Sequence, residues 1–269
     1  MGAWGPGLYS DDFALDLRTT ISAVSRLPLD GAEIVGLLRD LEPVTPPDEG
    51  YITFWLVVAD QLHRRGIHSE AQAQAVAIIE DNSNLAALED LGMSEPDLRK
   101  RRRSLEKLRD TLSGPLPDKQ RKTLKKPQVL LMEPGQVYVY PVDSRSSCVN
   151  PYFTDATRPT FEPARCGVFQ VFNAGHALGY LAWYDLATAR RPFRRRPSLK
   201  AAAAAVDAAR GGVGTLTRLH SSRMQLELLG SVDSPPRPKP AEEDTIRVTA
   251  SDISIANLLS RWARPGLFR

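Results

Sequence analysis

The spacing of apolar residues changes near the middle of this 269-residue chain, and that change limits the fold more than any other feature. Up to about Leu112, apolar residues recur every three or four positions, the period of an amphipathic helix. Beyond Pro127, apolar and polar residues alternate, as in β-strands. A Gly-Pro-Leu-Pro segment at 114–117 and a basic stretch at 119–126 separate the two patterns. We therefore predict an α+β protein with an acidic helix-bundle domain (1–113), a basic linker (114–127) and a basic, mainly β domain (128–269).

Six helices are predicted in the first domain from apolar stripes and capping residues. Asp30 and Ser94 are residue types that cap helix N-termini. The third helix, from Gly50 to about Arg65, is apolar on nearly all sides and is expected at the centre of the bundle. The predicted ranges are 11–27, 30–41, 50–65, 69–81, 85–91 and 94–112.

The second domain is predicted to contain a bent antiparallel sheet or a half-open barrel. Turns are expected at 173–176 and at the glycine-rich segment 211–214. A helix over 201–209 is expected between strands, and another closes the domain at 253–262. The predicted strands are 128–132, 136–142, 166–172, 178–186, 215–220, 224–229 and an edge strand at 246–249.

Composition places the chain among globular proteins, with 42% hydrophobic and 25% charged residues. The sequence shows neither a run of about 18 apolar residues nor a secretory signal, so we expect a cytoplasmic protein. Two cysteines, Cys148 and Cys166, are too few for a disulfide framework. Free thiols in a reducing compartment are expected, with a bridge between the two as the alternative.

Charge is distributed unevenly along the chain. Up to Met93 there are 5 basic and 15 acidic residues, and from Ser94 onward there are 30 basic and 17 acidic ones. The two halves therefore carry opposite net charges, although the whole chain is only +3. This asymmetry indicates either that the halves attract each other or that they meet different partners.

The first 16 residues combine three glycines, a proline and a lone tryptophan with an acidic helix start. Trp4 is large and apolar, so we expect the loop to seat it between helices. Ser10, Asp11 and Asp12 are of the types that cap a helix N-terminus. The alternative is a cation or partner site formed by Asp11, Asp12 and Asp16, although the spacing of an EF-hand is missing.

This opening resembles the N-terminal signature of a bacterial domain family of unknown function, which begins Met-Gly-Ala-Trp-Gly and continues with an Asn/Asp-Asp-x-Ala-x-Asp helix. Residues 1–5, Asp11, Asp12, Ala14 and Asp16 match that pattern, and the likeness extends to about Leu112. The family has no established catalytic residues. The resemblance therefore implies a helical domain without a transferable active site.

A second resemblance concerns residues 134–141, Pro-Gly-Gln-Val-Tyr-Val-Tyr-Pro. This stretch is similar to the first strand of a bacterial immunity-protein family from polymorphic toxin systems, which favours Pro-Gly-Asp-Val-Phe-Ala-Ile-Pro there. Gly167 to Val171 would match the following Gly-x-x-x-Val strand. The sequence departs from the family at Gln136 and in the long loop after Val142. The resemblance implies a toxin as partner and no catalytic residues.

Candidates for catalysis are few. A Cys–His pair could only come from Cys148 or Cys166 with His176 or His220, and no local motif supports one. A hydrolase using Cys166 and His176 would require those side chains to lie within hydrogen-bond reach in a cleft. Two other histidines, His63 and His68, are expected to be solvated rather than metal ligands. We therefore predict no enzyme activity, no cofactor and no metal.

Two arginine clusters are the strongest remaining indication of a binding site, because they could neutralise several phosphates. One comprises Arg101, Arg102 and Arg103, and the other Arg194, Arg195 and Arg196. Nearby aromatics at 180, 183 and 184 could stack on bases, although at strand spacing they are more often core residues.

We therefore predict a non-catalytic macromolecule-binding protein, most plausibly an immunity-type protein that binds and occludes a toxin. The acidic face formed by Asp11, Asp12 and Asp16 would dock a basic enzyme. The alternative is a nucleic-acid-binding accessory protein that uses the arginine clusters.

Overall fold

The structure is a computed structural model that describes residues 5–46, 49–118, 121–143, 150–153, 161–233, 237–251 and 253–263, with backbone alone for residues 49 and 260–263. The chain forms two compact units, Met1–Lys125 and Lys126–Arg269. Their border falls inside the segment 114–127 that the sequence analysis treats as a linker. Trp4, Cys148 and the first three residues of the opening signature lie outside the described residues.

The first unit contains six helices in its described part. They run over Asp12–Val24 (α1), Gly31–Leu41 (α2), Glu49–His63 (α3), Ala71–Glu80 (α4), Ser83–Asp90 (α5) and Glu95–Leu112 (α6). These helices match the six predicted from sequence to within a few residues at each end. Side-chain capping contributes to this agreement. At α2, Asp30 accepts from the backbone N–H of Glu33 while the Glu33 side chain accepts from the backbone N–H of Asp30.

Helix α3 lies at the centre of this unit. Residues 54–59 are all buried, and α3 contacts α1, α4, α5 and α6. Its sequence is apolar on every side, so burial on every side removes the most apolar area from water. The burial continues past residue 59, where the helix carries polar residues. Asp60, Gln61 and His63 are therefore buried as well, which corrects the expectation that His63 is solvated.

The second unit is built on a five-stranded antiparallel sheet with the spatial order β4-β3-β2-β1-β5. The strands are Gln136–Asp143 (β1), Pro163–Ala177 (β2), Leu181–Ala189 (β3), Val206–Gly214 (β4) and Glu227–Ser231 (β5). Because β4 and β5 occupy opposite edges, this sheet is open rather than closed, which confirms the predicted α+β class with an antiparallel sheet in the second domain. Each of the four strand pairings contains a register shift, and such bulges bend and twist strands.

Helices cover both faces of this sheet. On one face, α10 (Ile255–Ala263) packs with Ile255, Ala256 and Leu259 into a core that includes Phe169 and Tyr184. On the other, α7 (Leu199–Ala205) contacts β1, β2 and β5. Strand β3 is consequently buried along its whole length. Two further helices, α8 (Arg218–Arg223) and α9 (Glu242–Ala250), complete the described elements together with a single 3-10 turn at Pro151–Phe153.

Several predicted elements of this unit are wrong. Segment 128–132 is no strand, because its backbone bonds to loop and side-chain groups: Gln128 N–H donates to the Tyr180 carbonyl (2.9 Å), and Leu131 N–H to the Tyr184 hydroxyl (2.7 Å). The turn expected at 173–176 lies inside β2. The chain reverses instead at Leu178 and Gly179, which both have positive φ.

Other errors exchange helix and strand. Segments 215–220 and 246–249 are predicted as strands, but the second half of the first (218–220) belongs to α8, and the whole of the second lies within α9. Thr217 caps α8 by accepting from the backbone N–H of His220 at 3.1 Å, and acidic residues fill the first turn of α9. Residues 206–209 and the glycine-rich 211–214 form β4 rather than a helix end and a flexible turn.

Candidate functional site: a cationic groove on the helical unit

A groove of about 590 Å³ lies on the helical unit, between α1 and the last turns of α3. Helix α1 contributes residues spaced three and four apart, and therefore on one face, and α3 contributes Gln61. Arg64 and Arg65 come from the turn that directly follows α3. Tyr9, from the loop before α1, closes one side. We call this the α1–α3 groove. Its complete lining is Tyr9, Leu15, Arg18, Thr19, Ser22, Gln61, Arg64 and Arg65.

Buried Asp60 holds three of the groove side chains by hydrogen bonds. Its carboxylate is buried and accepts from Arg64 Nε at 2.8 and 2.9 Å and from Gln61 Nε2 at 3.1 Å. The Tyr9 hydroxyl also donates to Asp60 Oδ2. Hydrogen bonding to Asp60 raises the pKa of the Arg64 guanidinium. Arg64 and Tyr9 are therefore held in place before any ligand arrives.

Gln61 positions the second guanidinium. Arg65 donates through one terminal nitrogen to the Gln61 carbonyl at 2.8 Å and to Gln61 Oε1 at 2.7 Å. Gln61 is itself buried, and its Nε2 donates to the Tyr9 hydroxyl. Burial lowers the pKa of Arg65, since the half-buried guanidinium is partly desolvated. A negatively charged ligand would relieve that cost.

Arg18 supplies a third guanidinium from α1. Its Cζ lies 5.4 Å from the centre of the Tyr9 ring, a cation–π geometry that restrains an otherwise exposed side chain. Burial raises the pKa of the Tyr9 phenol, with a further contribution from its hydrogen bond to Asp60, so Tyr9 stays protonated. Three arginines therefore face the groove, and the described lining contains no carboxylate.

The three carboxylates predicted as a docking face differ in their surroundings. Asp11 is half-buried and caps α1, with Oδ1 accepting from the backbone N–H of Ala14 at 2.6 Å. It also acts electrostatically on Arg101. Asp12 and Asp16 are exposed on α1. Asp11 is therefore already engaged within the unit, whereas Asp12 and Asp16 are available to a partner.

The first arginine cluster does not form one surface. Arg101 is 5% exposed, and its Nε donates to Asn84 Oδ1 at 2.8 Å. Burial lowers the pKa of Arg101 to about 10, and the charge of Asp11 opposes that shift. Arg102 and Arg103 are exposed on α6.

In the second cluster all three side chains are exposed, and Arg196 forms an ion pair with Glu227. The neighbouring aromatics are not a stacking platform. Trp183 and Tyr184 are buried in the sheet, and Tyr180 is half-buried.

The structure separates the cysteine and histidine of the hydrolase hypothesis. Cys166 and His176 lie ten residues apart on the same strand, β2, about 30 Å at the rise of an extended chain. Cys166 lies opposite Pro141, whereas His176 lies opposite Ala182 and its Nε2 is 2.6 Å from the Gln128 carbonyl oxygen. They cannot act on one substrate. Within the described ranges, no cluster of three or more His, Cys, Asp or Glu residues could hold a metal ion.

The α1–α3 groove was not predicted from the sequence, although one signal for it was present. Only five basic residues occur up to Met93, and Arg18, Arg64 and Arg65 are three of them. In a strongly acidic segment, a few basic residues that lie close together in the fold indicate a binding groove more strongly than the residues of a long basic tract do. Their convergence could not be seen without the packing of α1 on α3.

None of the helices described here is long and apolar enough to cross a bilayer. Searches of protein-family models, curated proteins and solved structures gave no match.

Proposed function

We propose that this protein is a non-catalytic macromolecule-binding protein whose helical unit binds an acidic segment of a partner protein in the α1–α3 groove. The observation that carries the proposal is the set of three arginines at the groove, two of them anchored by buried Asp60 and Gln61. A side chain that is already restrained loses less conformational entropy on binding. Guanidinium groups also match the planar geometry of carboxylates.

A protein segment suits this groove better than a small anion. The volume of about 590 Å³ exceeds what one carboxylate needs, and Leu15, 44% exposed, adds an apolar surface beside the arginines. Tyr and Arg are the residue types that dominate binding energy at protein interfaces. A peptide with acidic residues flanking an apolar one would satisfy both features.

The nearby carboxylates add specificity. Asp12 and Asp16 lie exposed on the helix that forms one wall of the groove, and they would attract basic residues of the same partner. An acidic segment placed out of register would meet these two carboxylates and be repelled. The resemblance of residues 134–141 to an immunity-protein family supports a toxin as the partner, occluded on binding.

The test uses a fluorescent peptide of ten glutamates and its lysine counterpart, measured by anisotropy with the full-length protein. The Arg18→Ala/Arg65→Ala variant leaves the ion pair between the buried Asp60 carboxylate and the exposed Arg64 guanidinium intact. Each of these two arginines is expected to contribute about tenfold in affinity for the acidic peptide, so the double variant should bind roughly 100-fold more weakly.

The matched control is Arg102→Ala/Arg103→Ala, which removes the same charge from the exposed side of α6. It should change the affinity less than threefold, since only the general field of the unit is altered. Equal losses in the two double variants would mean that net charge, rather than the groove, binds the peptide. The Asp12→Asn/Asp16→Asn variant should weaken the binding of the lysine peptide and leave the binding of the glutamate peptide unchanged.

The exposure of the second arginine cluster favours nucleic-acid binding as a second candidate function. Arg194 and Arg195 are exposed next to Arg196, and several phosphates could be neutralised there. Binding to a DNA duplex should then weaken steeply between low and moderate salt, and Arg194→Ala/Arg195→Ala should reduce that salt dependence by about two charges. Binding that is insensitive to salt would exclude this function.

A further inference from the structure

The groove face of α1 carries a strip of short and apolar side chains between two charged borders. Successive residues of an α-helix are rotated by about 100° around its axis, so positions on this face follow from the residue numbers. Measured from Arg18, the strip lies at about 40° to about 100° and consists of Ser22, Leu15 and Thr19. Leu15 and Ser22 are seven residues apart, so the strip extends about 10 Å along α1, which is two helical turns.

The two borders of this strip have opposite charges. On one side lie Arg18, Arg64 and Arg65. Burial lowers the pKa of Arg65, and the positive charge of Arg18 lowers it further, because the two guanidinium groups lie close together. On the other side, the exposed Asp12 and Asp16 lie at about 120° and about 160° from Arg18. A partner that lies along the strip therefore meets positive charge on one flank and negative charge on the other.

The described walls of the groove offer side chains to a partner rather than backbone groups. Inside α1 and α3 the N–H and C=O groups are hydrogen-bonded along the helix. Where α3 ends, the Arg65 N–H donates to the Leu62 carbonyl at 3.0 Å. In the strip itself, the Thr19 hydroxyl donates to the Leu15 carbonyl at 3.0 Å. An extended segment would lay its own N–H and C=O groups against these walls without partners, whereas a helix satisfies its backbone internally.

We propose that the α1–α3 groove binds an α-helix of the partner, with acidic side chains along one flank and basic side chains along the other. The inference rests on the proposed function, which leaves the conformation of the acidic segment open. The acidic flank lies beside the three arginines, and the basic flank faces Asp12 and Asp16. Small or apolar residues between the flanks pack on Leu15. The short side chain of Ser22 lets the partner helix approach to the usual interaxial distance of about 8–10 Å.

Two fluorescent peptides of identical composition distinguish a helix from an extended segment, by anisotropy with the full-length protein. Both contain alanine and the same numbers of glutamates and lysines. In the first, glutamates recur every third or fourth position and lysines follow about 120° around the helix, so each charge forms one flank. In the second, glutamates alternate with alanines, which aligns them only in an extended chain. The first peptide should bind about tenfold more tightly, and Arg18→Ala/Arg65→Ala should abolish that preference.

A variant of the strip provides a second readout that leaves the arginines in place. Ser22→Gln fills the strip without changing its charge and should weaken the first peptide about tenfold. Ser104→Gln is the matched control, since Ser104 is an exposed serine of α6, and it should change the affinity less than twofold.

Four results would overturn the inference: equal binding of the two peptides, tighter binding of the second, binding of neither, or equal effects of the two glutamine variants. The ten-glutamate peptide then decides the fate of the proposed function separately. If its binding still depends on Arg18 and Arg65, the groove binds an acidic segment that is not helical. If that dependence is also missing, the proposed function fails as well.

Discussion

Replacing Asp60 by asparagine is the sharpest test of how the helical unit is held together. Asp60 is 3% exposed and accepts from three donors: the Tyr9 hydroxyl, Gln61 Nε2 and Arg64 Nε. Asparagine keeps the shape but removes the charge. It also replaces one acceptor oxygen by an NH₂ group, so that a donor faces the donors of the neighbouring residues.

The expected loss follows from these contacts. A hydrogen bond to a charged group contributes about 1.5–3 kcal/mol, and breaking one side of a fully buried ion pair costs about 3–5 kcal/mol. The Arg64 side chain is 66% exposed, so water screens that pair and replaces part of the lost interaction. We therefore expect Asp60→Asn to reduce the free energy of unfolding of the first unit by about 2–3 kcal/mol.

Thermal and denaturant unfolding followed by circular dichroism measures this loss. For a unit of about 125 residues the midpoint temperature should fall by roughly 10 °C. Asp97→Asn is the matched control, because Asp97 also pairs with a basic residue, Lys100 at 3.0 Å, but on the exposed side of α6. Its effect should be much smaller. If the two variants unfold at the same midpoint, the reasoning from the buried carboxylate is wrong.

Three further predictions concern caps, packing and pH. Asp30→Ala removes the hydrogen bond from the Glu33 backbone N–H to Asp30 Oδ1, although the backbone N–H of residue 30 still donates to the Glu33 side chain. It should cost about 1 kcal/mol in denaturant unfolding, and Asp30→Ser should restore most of it. Gly167→Ala places a Cβ 2.3 Å from Cζ of Tyr140 and should reduce the free energy of unfolding by about 1–3 kcal/mol. The loss should be smaller in a Tyr140→Ala background, and a double-mutant cycle measures that difference. Burial raises the pKa of Tyr9, so the native state holds that proton more tightly than the unfolded chain does. Stability should therefore fall as pH rises above about 10, and denaturant midpoints from about pH 8 to about pH 11 should fall less for Tyr9→Phe than for the unaltered protein.

Local signals in the sequence account for most of the helical unit. The start of α2 follows from Asp30, whose side chain caps the helix, and the length of α6 follows from its apolar period, although Ser94 occupies the N-cap position of α6 without a side-chain capping bond. The central position of α3 follows from its apolar surface on every side. What these signals did not predict is the fate of the polar end of α3, where Asp60 and His63 remain buried.

The sheet was harder to predict because its strands are paired over long distances and buried on both faces. Strand β3 lacks the alternation of a half-exposed strand, since helices cover both sides. The β-branched residues near 215–220 and 246–249 suggested strands. The cap at Thr217 and the acidic first turn of α9 were the stronger signals there.

The α1–α3 groove lies beyond local inference for a similar reason. Tyr9 and Asp60 are 51 residues apart, and their contact depends on how α1 packs on α3. The predicted third helix ends at Arg65, so the sequence places Arg64 and Arg65 only at the polar end of an apolar helix. Only the packed structure brings Arg18 beside them.

The strand order has a consequence for how the second unit is made in the cell. Gln136 at the start of β1 pairs with Ser231 at the end of β5, so one edge of β1 stays unpaired until most of the unit has been synthesised. During that interval the growing chain carries an unpaired β1 flank that other nascent chains could join. Ribosome-bound fragments ending before residue 227 should therefore depend on chaperones more strongly than the full-length chain does.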